Sequence, residues 1–572
     1  LGLQAGGTFA NIGGLVQTDA SLQLNAAGAV DNSGGRIEST ASADSAATLA
    51  LTAAGITNNG GRIVNAGSGV TTLDGGSGGI ANDNLGALAG GGFIGGNGDV
   101  ALSAATLTNT HGATVTANGK LDLTATGGSV DNHLGTLAAA GKLTLTSAQS
   151  FQYRVGDILR GDGGIRLASA ANLLIDSGTR LQSPGAIDLV ATGALDNRGT
   201  IVTDRTLNLT LGSLDNSGAL LSGGNAAGTV AGAAANSGSF SSQGVLSLSA
   251  LSLANSAAGH FAAGTDLTLT TSGALVNQGT LSADNLTLNA ASVDNQGAIA
   301  AMTDLTVTVT GTLTNRSNKL IYAGQDQHLH ANVLSNEEDG VIWAGRDIVI
   351  QKNALGARAS SVTNDKGQIE AQNDLTIRAD TLSNQGATPA IQSSSFSDSI
   401  QYAVNGCPGA GCVQAMLDPG VVDELGAYTT LPIPLLSAYG EQVYNSGWGF
   451  RVATQGEVNA YFARNPGAPT VIGGINFQTY PSIPRGDPHE LEGGWEVGLS
   501  GTVQSVVPGS VAKAAKLLAG RDFVFDGGSV NNLSSQIAAS RDVTLSGSSL
   551  TNQGQALQRS ITSYAAAYVL SA

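Results

Sequence analysis

Charge is scarce in this chain of 572 residues: Asp, Glu, Lys and Arg make up 12% of it, and aromatic residues only 4%. Bases are the rarer sign, 25 against 42 acids, so the net charge is −17. A surplus of acid repels phosphate, which argues against nucleic acid or an anionic membrane surface as a general partner. Long apolar runs are missing too; none approaches the roughly 18 residues of a membrane-spanning helix. Low charge does not mean disorder here, because 41% of the residues are hydrophobic and recur in a regular pattern. Proline is nearly absent outside one stretch: eleven of the twelve lie between Pro389 and Pro508. The opening LGLQAGGTF has no signal-peptide pattern and already reads as repeat, so the sequence is expected to be a piece of a longer protein.

What is present is a short repeat, clearest in residues 275–315, LVNQGTLSADNLTLNAASVDNQGAIAAMTDLTVTVTGTLTN. Asn277, Asn295 and Asn315 recur there at intervals of 18 and 20. That period is too short for a helical repeat and suits one coil of a parallel β-solenoid. Leu286 and Leu288 alternate with Thr287 and Asn289, so one strand face points inward and the other meets water. Gly297, Asn295 and Asp304 supply turns. One coil cannot bury its inward face, but coils stacked about 4.8 Å apart can, and each strand then gains a neighbour. Asparagine at the same turn of successive coils is expected to form a ladder of amide bonds along the axis. The fold class is therefore all-β, a parallel β-helix, right-handed by the general preference for right-handed crossovers.

The ladder positions can be followed along the chain. Asn11, Asn32, Asn58, Asn82, Asn109 and Asn132 come first; the asparagine then drops out between 133 and 196 although coils still fit. Asn197, Asn216, Asn236, Asn255, Asn277, Asn295, Asn315 and Asn336 follow at 18 to 22. The stretch QKNALGARASS lengthens the next interval to 28 before Asn364, and Asn384 closes the run. The expectation is roughly 18 coils, ~85–90 Å at the strand spacing. From about residue 387 the composition changes. Residues 387–515 hold 12 of the 24 aromatics, both cysteines and 10 acids against 4 bases. Proline cannot donate to a sheet ladder, which disfavours a continued solenoid there. The repeat then returns, with Asn532 and Asn552 twenty apart. Three segments are thus expected: a stalk over 1–386, a non-repetitive module over 387–515, and resumed repeats over 516–572.

The copies LSADNLTLNAASVDNQGAIAA, AGRDIVI, GQIEAQNDLTIRADTLSNQG and LAGRDFVFDGGSVNN resemble the filamentous-haemagglutinin repeats of large two-partner-secreted exoproteins. The resemblance covers nearly all of 1–386 and 516–555. A long repeat block, then an irregular module, then resumed repeats is similar to the contact-dependent growth-inhibition exoproteins. In that family the module after the first block carries receptor recognition. The resemblance implies a Gram-negative source, export through an outer-membrane barrel transporter and a secreted filament at the outer-membrane surface. It further implies a receptor on neighbouring bacteria, protein or lipopolysaccharide, that allows toxin delivery. Neither the family's amino-terminal secretion domain nor a toxin is seen in this sequence.

Candidate chemistry is sparse, and each candidate has a plain structural alternative. Asp266, Asp304, Asp347, Asp374, Asp522 and Asp542 recur at one turn. They could form a carboxylate row for calcium or for sugar cleavage, or be turn formers that bond local amides; the second reading is preferred. The glycines of TTLDGGSGGIANDNLGALAGGGF lack the Lys-Ser/Thr of a phosphate loop and read as wide turns. His328 and His330 could begin a zinc site but lack further ligands, and are expected as a solvent-facing strand pair. Cys407 and Cys412 enclose PGAG and, in an exported chain, are expected to form a local disulfide. Arg485, Gly486 and Asp487, between Pro484 and Pro488, match an integrin-type adhesion tripeptide, with a chance match of three residues as the alternative. Tyr444, Trp448, Phe450, Tyr480 and Trp495 are the candidate receptor-binding aromatics, with the module's own core as the alternative role. No cofactor, metal or catalytic residue is indicated, and the chain reads as a non-enzyme. The remaining alternatives are an adhesin for a host-cell surface or matrix and, further off, a polysaccharide-degrading β-helix enzyme.

Overall fold

The computed structural model describes residues 1–85, 91–403, 471–472, 475–476, 493–510 and 512–569. Alternation of apolar and small polar residues sets the strands. In Asn285–Ala290, Leu286 and Leu288 and Ala290 are buried while Thr287 and Asn289 lie half-exposed. Ser292–Asn295 and Ala298–Ala301 follow as the other two sides of the same coil, again with every second residue buried. Each strand pairs in parallel with its equivalent one coil away, so Leu267, Leu286, Leu305, Gln327, Ile348, Leu375 and Phe523 form one column. The result is an all-β, right-handed parallel β-helix of about 21 turns. The roughly 18 coils expected are those of the run closing at Asn384, and the resumed repeats with Asn532 and Asn552 add to them. In the early coils the three sides belong to three sheets; from Phe151 onward two of the sides join one sheet of 30 strands.

The asparagines line one corner of the coil, buried. Asn277 Nδ2 donates to Asn295 Oδ1 at 3.0 Å, and Asn295 Nδ2 donates to Asn315 Oδ1 at 2.8 Å. Each amide also reaches a backbone carbonyl of the following coil, as Asn295 does to Leu320 at 3.1 Å. The chain of bonds begins at Asn11 with Asn32 and runs unbroken to Asn132. The register then explains the gap: Tyr153 and Ile175 occupy the asparagine position in the next two coils. Tyr153 uses its hydroxyl on the Arg180 carbonyl at 3.2 Å. Ile175 has nothing to donate, so the Oδ1 of Asn197, the first asparagine after the gap, is buried without a partner.

Insertions leave this register untouched. The extra residues before Ala359 bulge out, yet Asn336 still bonds Asn364 at 2.8 Å. The larger one is crossed in the same way: Asn384 bonds Asn532 at 2.8 Å, 148 residues on. Leu375–Gln385 pairs with Asp522–Leu533, and Gln368–Ala371 with Lys516–Ala519. Where the chain leaves and re-enters, Ala387 and Lys513 exchange backbone bonds of 2.7 and 3.1 Å. Lys513 Nζ also meets Glu338 at 2.9 Å, which Lys366 shares at 3.1 Å.

Two compact units result. One comprises Leu1–Ala387 with Lys513–Gly554; the other comprises Thr388–Ala512 with Gln555–Ala572. Gln555–Ala572, part of the segment expected over 516–572, falls in the second unit. In the second unit, strand Gly493–Val506 pairs antiparallel with Ile391–Ala403 on one side and Arg559–Val569 on the other. The change from parallel to antiparallel pairing matches the loss of the repeat period.

Two stability differences follow. Asn295→Ala strands the donor of Asn277 and the acceptor of Asn315, and is expected to cost about 1–3 kcal/mol. Thr287→Ala on the outer face stays within about 0.5 kcal/mol. Chemical denaturation that gave equal shifts for the two would refute the ladder's share in stability. Gln327 takes a core position between Leu305 and Ile348, fully buried, with neither amide atom hydrogen-bonded. Gln327→Leu is therefore expected to stabilise the chain by roughly 1–3 kcal/mol in the same measurement.

Candidate functional site

The outer turns of the coils carry the most regular chemistry. The recurrent aspartates stand in one column, joined by Asn285 and by Asp326, which the sequence reading passed over. Their carboxylates bind backbone amides of the following coil. Asp326 N–H donates to Asp304 at 3.1 Å, Asp374 N–H to Asp347 at 3.0 Å, and Asp522 N–H to Asp374 at 3.2 Å. Where the repeat reads Arg-Asp, the arginine reaches back one coil. Arg521 Nε meets Asp374 at 2.8 Å, Arg541 Nε meets Asp522 at 2.8 Å, and Arg346 Nε meets Asp326 at 2.6 Å. The Arg346 guanidinium holds the Asp326 carboxyl below its usual range, and Arg541 does the same to Asp522. Asp326, Asp374 and Asp522 are thus each paired with an arginine, and carboxylate oxygens along the column accept from amides of the next coil. Among the described residues no group of three or more His, Cys, Asp or Glu side chains could hold a metal ion.

His328 and His330 do not form a solvent-facing pair. Their rings lie 6.2 Å apart, but His330 is only 7% exposed while His328 is half-exposed. His330 ends its strand where the coil turns inward, stacked above Gln351 of the next coil with Nε2 and Nε2 3.4 Å apart. Burial pushes the His330 imidazole below its ordinary value, and neighbouring His328 adds to the effect.

One surface feature went unnoticed in the sequence. Tyr322 and Trp343 occupy the same outward position in consecutive coils, and their rings stack 5.0 Å apart at 6°. The paired phrases IYAG and IWAG carry that signal. Each ring covers a face of the other, an arrangement worth about 0.5–1.5 kcal/mol beyond area burial.

The second unit contains the sequence-derived recognition residues. Trp495 lies on the central strand Gly493–Val506, opposite Tyr402 on one side and Ala567 on the other. Cys407, Cys412, Tyr444, Trp448, Phe450, Tyr480, Arg485, Gly486 and Asp487 fall outside the described residues. Nearer the strand ends, the Arg559 guanidinium lies over the Phe396 ring, 5.3 Å from its centroid.

A family model described as the haemagglutinin repeat matches residues 1–34, 35–76, 71–126, 116–199, 182–279, 242–326, 342–400 and 498–567. A curated relative, the deoxyribonuclease CdiA of Dickeya dadantii (strain 3937), is 27% identical over 246 residues. The alignment covers 42% of this chain and 6% of that protein, so the chain spans a small part of the relative's length. No solved structure matches the chain.

The buried histidine gives a pH dependence of known sign. Its folded pKa lies below the unfolded value of 6.5, so the unfolded chain takes up the proton first. Stability from neutral His330 is complete above about pH 6.5 and is lost as pH falls toward the depressed folded value. Urea midpoints are expected to drop between pH 7.5 and pH 5 by less in His330→Gln than in the native chain. Parallel pH curves for the two would exclude His330 as the source.

Proposed function

We propose that this chain, which belongs to the haemagglutinin-repeat family, is a stalk and receptor-recognition segment of a two-partner-secreted surface exoprotein. On this reading it is exported through an outer-membrane barrel transporter and displayed on a Gram-negative cell. It recognises an outer-membrane receptor, protein or lipopolysaccharide, on neighbouring bacteria, and a toxin carried elsewhere in the exoprotein follows. The chain itself performs no chemistry.

One observation carries the proposal. A coil-on-coil register continues through Asn384 to Asn532, while the residues between Ala387 and Lys513 are set aside as part of a separate unit. Scaffold and non-repetitive module are thereby divided, and binding residues concentrate where a rigid scaffold presents irregular segments. The coil surface is small-residue and repetitive, whereas 387–515 holds half of the aromatics. The similarity to a relative named CdiA supports the choice of a bacterial target. An adhesin for host cells is the second reading, favoured by Arg485-Gly486-Asp487. The enzyme reading is weakened by the aspartate column, whose carboxylates are spent on amides and arginines rather than standing as an isolated pair.

Joining Ala387 directly to Lys513 tests the proposal, since their backbones are already bridged. The deletion is expected to abolish binding to target cells and keep the β circular-dichroism spectrum of the coils. Undiminished binding by the deleted chain would place recognition on the coils and end this reading. Within the module, Trp448→Ala or Trp495→Ala is expected to weaken binding by more than ~1 kcal/mol. Asp487→Glu separates the two targets, because only integrin-type adhesion should be lost.

A further inference from the structure

We infer that the recognition unit is not contained in Thr388–Ala512 but is completed by Gln555–Val569, a strand supplied from beyond the resumed coils. The inference rests on the proposed role of this unit in recognition and adds positioning residues to it.

The pairing makes the case. Among the described residues, Gly493–Val506 is the central strand of a three-stranded antiparallel sheet, and Arg559–Val569 covers one of its edges in register from Val503 opposite Arg559 to Gly493 opposite Val569. Without that strand, eleven residues of Gly493–Val506 would present an unpaired row of amides and carbonyls. A two-stranded antiparallel pair is marginal in water, and a third strand is among the things such a sheet needs for stability. The returning segment is held by contacts on both partner strands. Gln504 N–H donates to the Gln558 carbonyl at 2.9 Å, and Gln558 N–H donates to Gln504 Oε1 at 3.0 Å. Gln555 Nε2 reaches the Pro389 carbonyl at 3.4 Å. The Arg559 guanidinium spans the central strand to the ring of Phe396, whose own partner on that strand is Gly501. Glycine there leaves no side chain between the two outer strands.

Chain order gives the arrangement a consequence. Between Val506 and Arg559 lie 52 residues, and they include the coil strands Lys516–Ala519, Asp522–Leu533, Gln536–Ala539, Asp542–Ser546 and Ser549–Gln553. Those strands stack on coils that precede the module. Folding them shortens the free loop that closes the sheet, which lowers the entropy cost of closure. During vectorial emergence of the chain, the module's own residues appear first, the coils next and the closing strand last. Recognition therefore becomes competent only after the stalk has resumed.

The test is the full chain carrying Thr562→Pro with Ser563→Pro. Adjacent prolines remove the ladder donor whichever of the two residues faces the central strand. Hydrogen exchange is expected to speed up at least tenfold across Gly493–Val503 and to stay unchanged in Leu375–Gln385 and Lys516–Ala519; target-cell binding falls at least tenfold. A control with Thr562→Val and Ser563→Val, which suits a strand, should leave both readouts as they were. Unchanged exchange in Gly493–Val503 overturns the inference, and so does rapid exchange there with normal binding. The Ala387–Lys513 junction variant keeps the two readings apart. If it still binds, recognition by the module is wrong; if it fails to bind while the proline variant binds normally, only the closing-strand inference is wrong.

Discussion

Backbone pairing of each coil on the one before it is the constraint that the rest of the structure obeys. A parallel strand finds its partner one coil away, so the register of any coil is inherited from its neighbour. Side chains then repeat in columns: leucines within, asparagines at one corner, aspartates at another. Columns of identical polar groups are hazardous, since each stands some 4.8 Å from the next. Asparagine avoids the difficulty because its amide is both donor and acceptor, and successive side chains bond head to tail. Aspartate is acceptor only, and it is tolerated because the next coil offers an amide and, in several coils, an arginine.

Inheritance of register also explains how the fold admits foreign segments. A loop that leaves and returns at neighbouring backbone positions changes nothing for the coils on either side. The seven-residue bulge Lys352–Arg358 and the far larger excursion between Ala387 and Lys513 follow the same rule. The excursion differs in kind, since it enters a unit with antiparallel pairing and borrows a strand from downstream. Presentation and support are thereby assigned to different physics: parallel repetition for the stalk, antiparallel pairing among the described strands of the unit proposed to recognise a target.

Imperfections in the columns mark where local chemistry loses to register. Ile175 and Tyr153 sit at asparagine positions, and Asn197 is left with a buried acceptor unpartnered. Gln327 stands among leucines with no hydrogen bond. His330 is carried inward by its strand, and burial pushes its imidazole below its ordinary value. In a compact fold such groups could turn toward a partner. In a stacked coil the neighbours above and below are dictated, and repacking one position would shift every column.

The repeat period, the inward and outward faces and the positions of the asparagines were legible in the amino-acid order, because a β-solenoid is set by local alternation repeated at nearly constant length. Asn277, Asn295 and Asn315 sit at visible intervals, and the run of prolines marks where the period stops. Three things needed the tertiary structure. The inward turn of His330 depends on where its strand ends relative to Gln351 one coil away. The stacking of Tyr322 on Trp343 depends on two coils sharing register. The return of Arg559–Val569 to Gly493–Val503 joins segments with no common repeat, through backbone bonds that carry no residue code. Local periodicity determined the stalk; only long-range pairing decided which distant strand completes the second unit, because the two strands share no repeat that would mark them as partners.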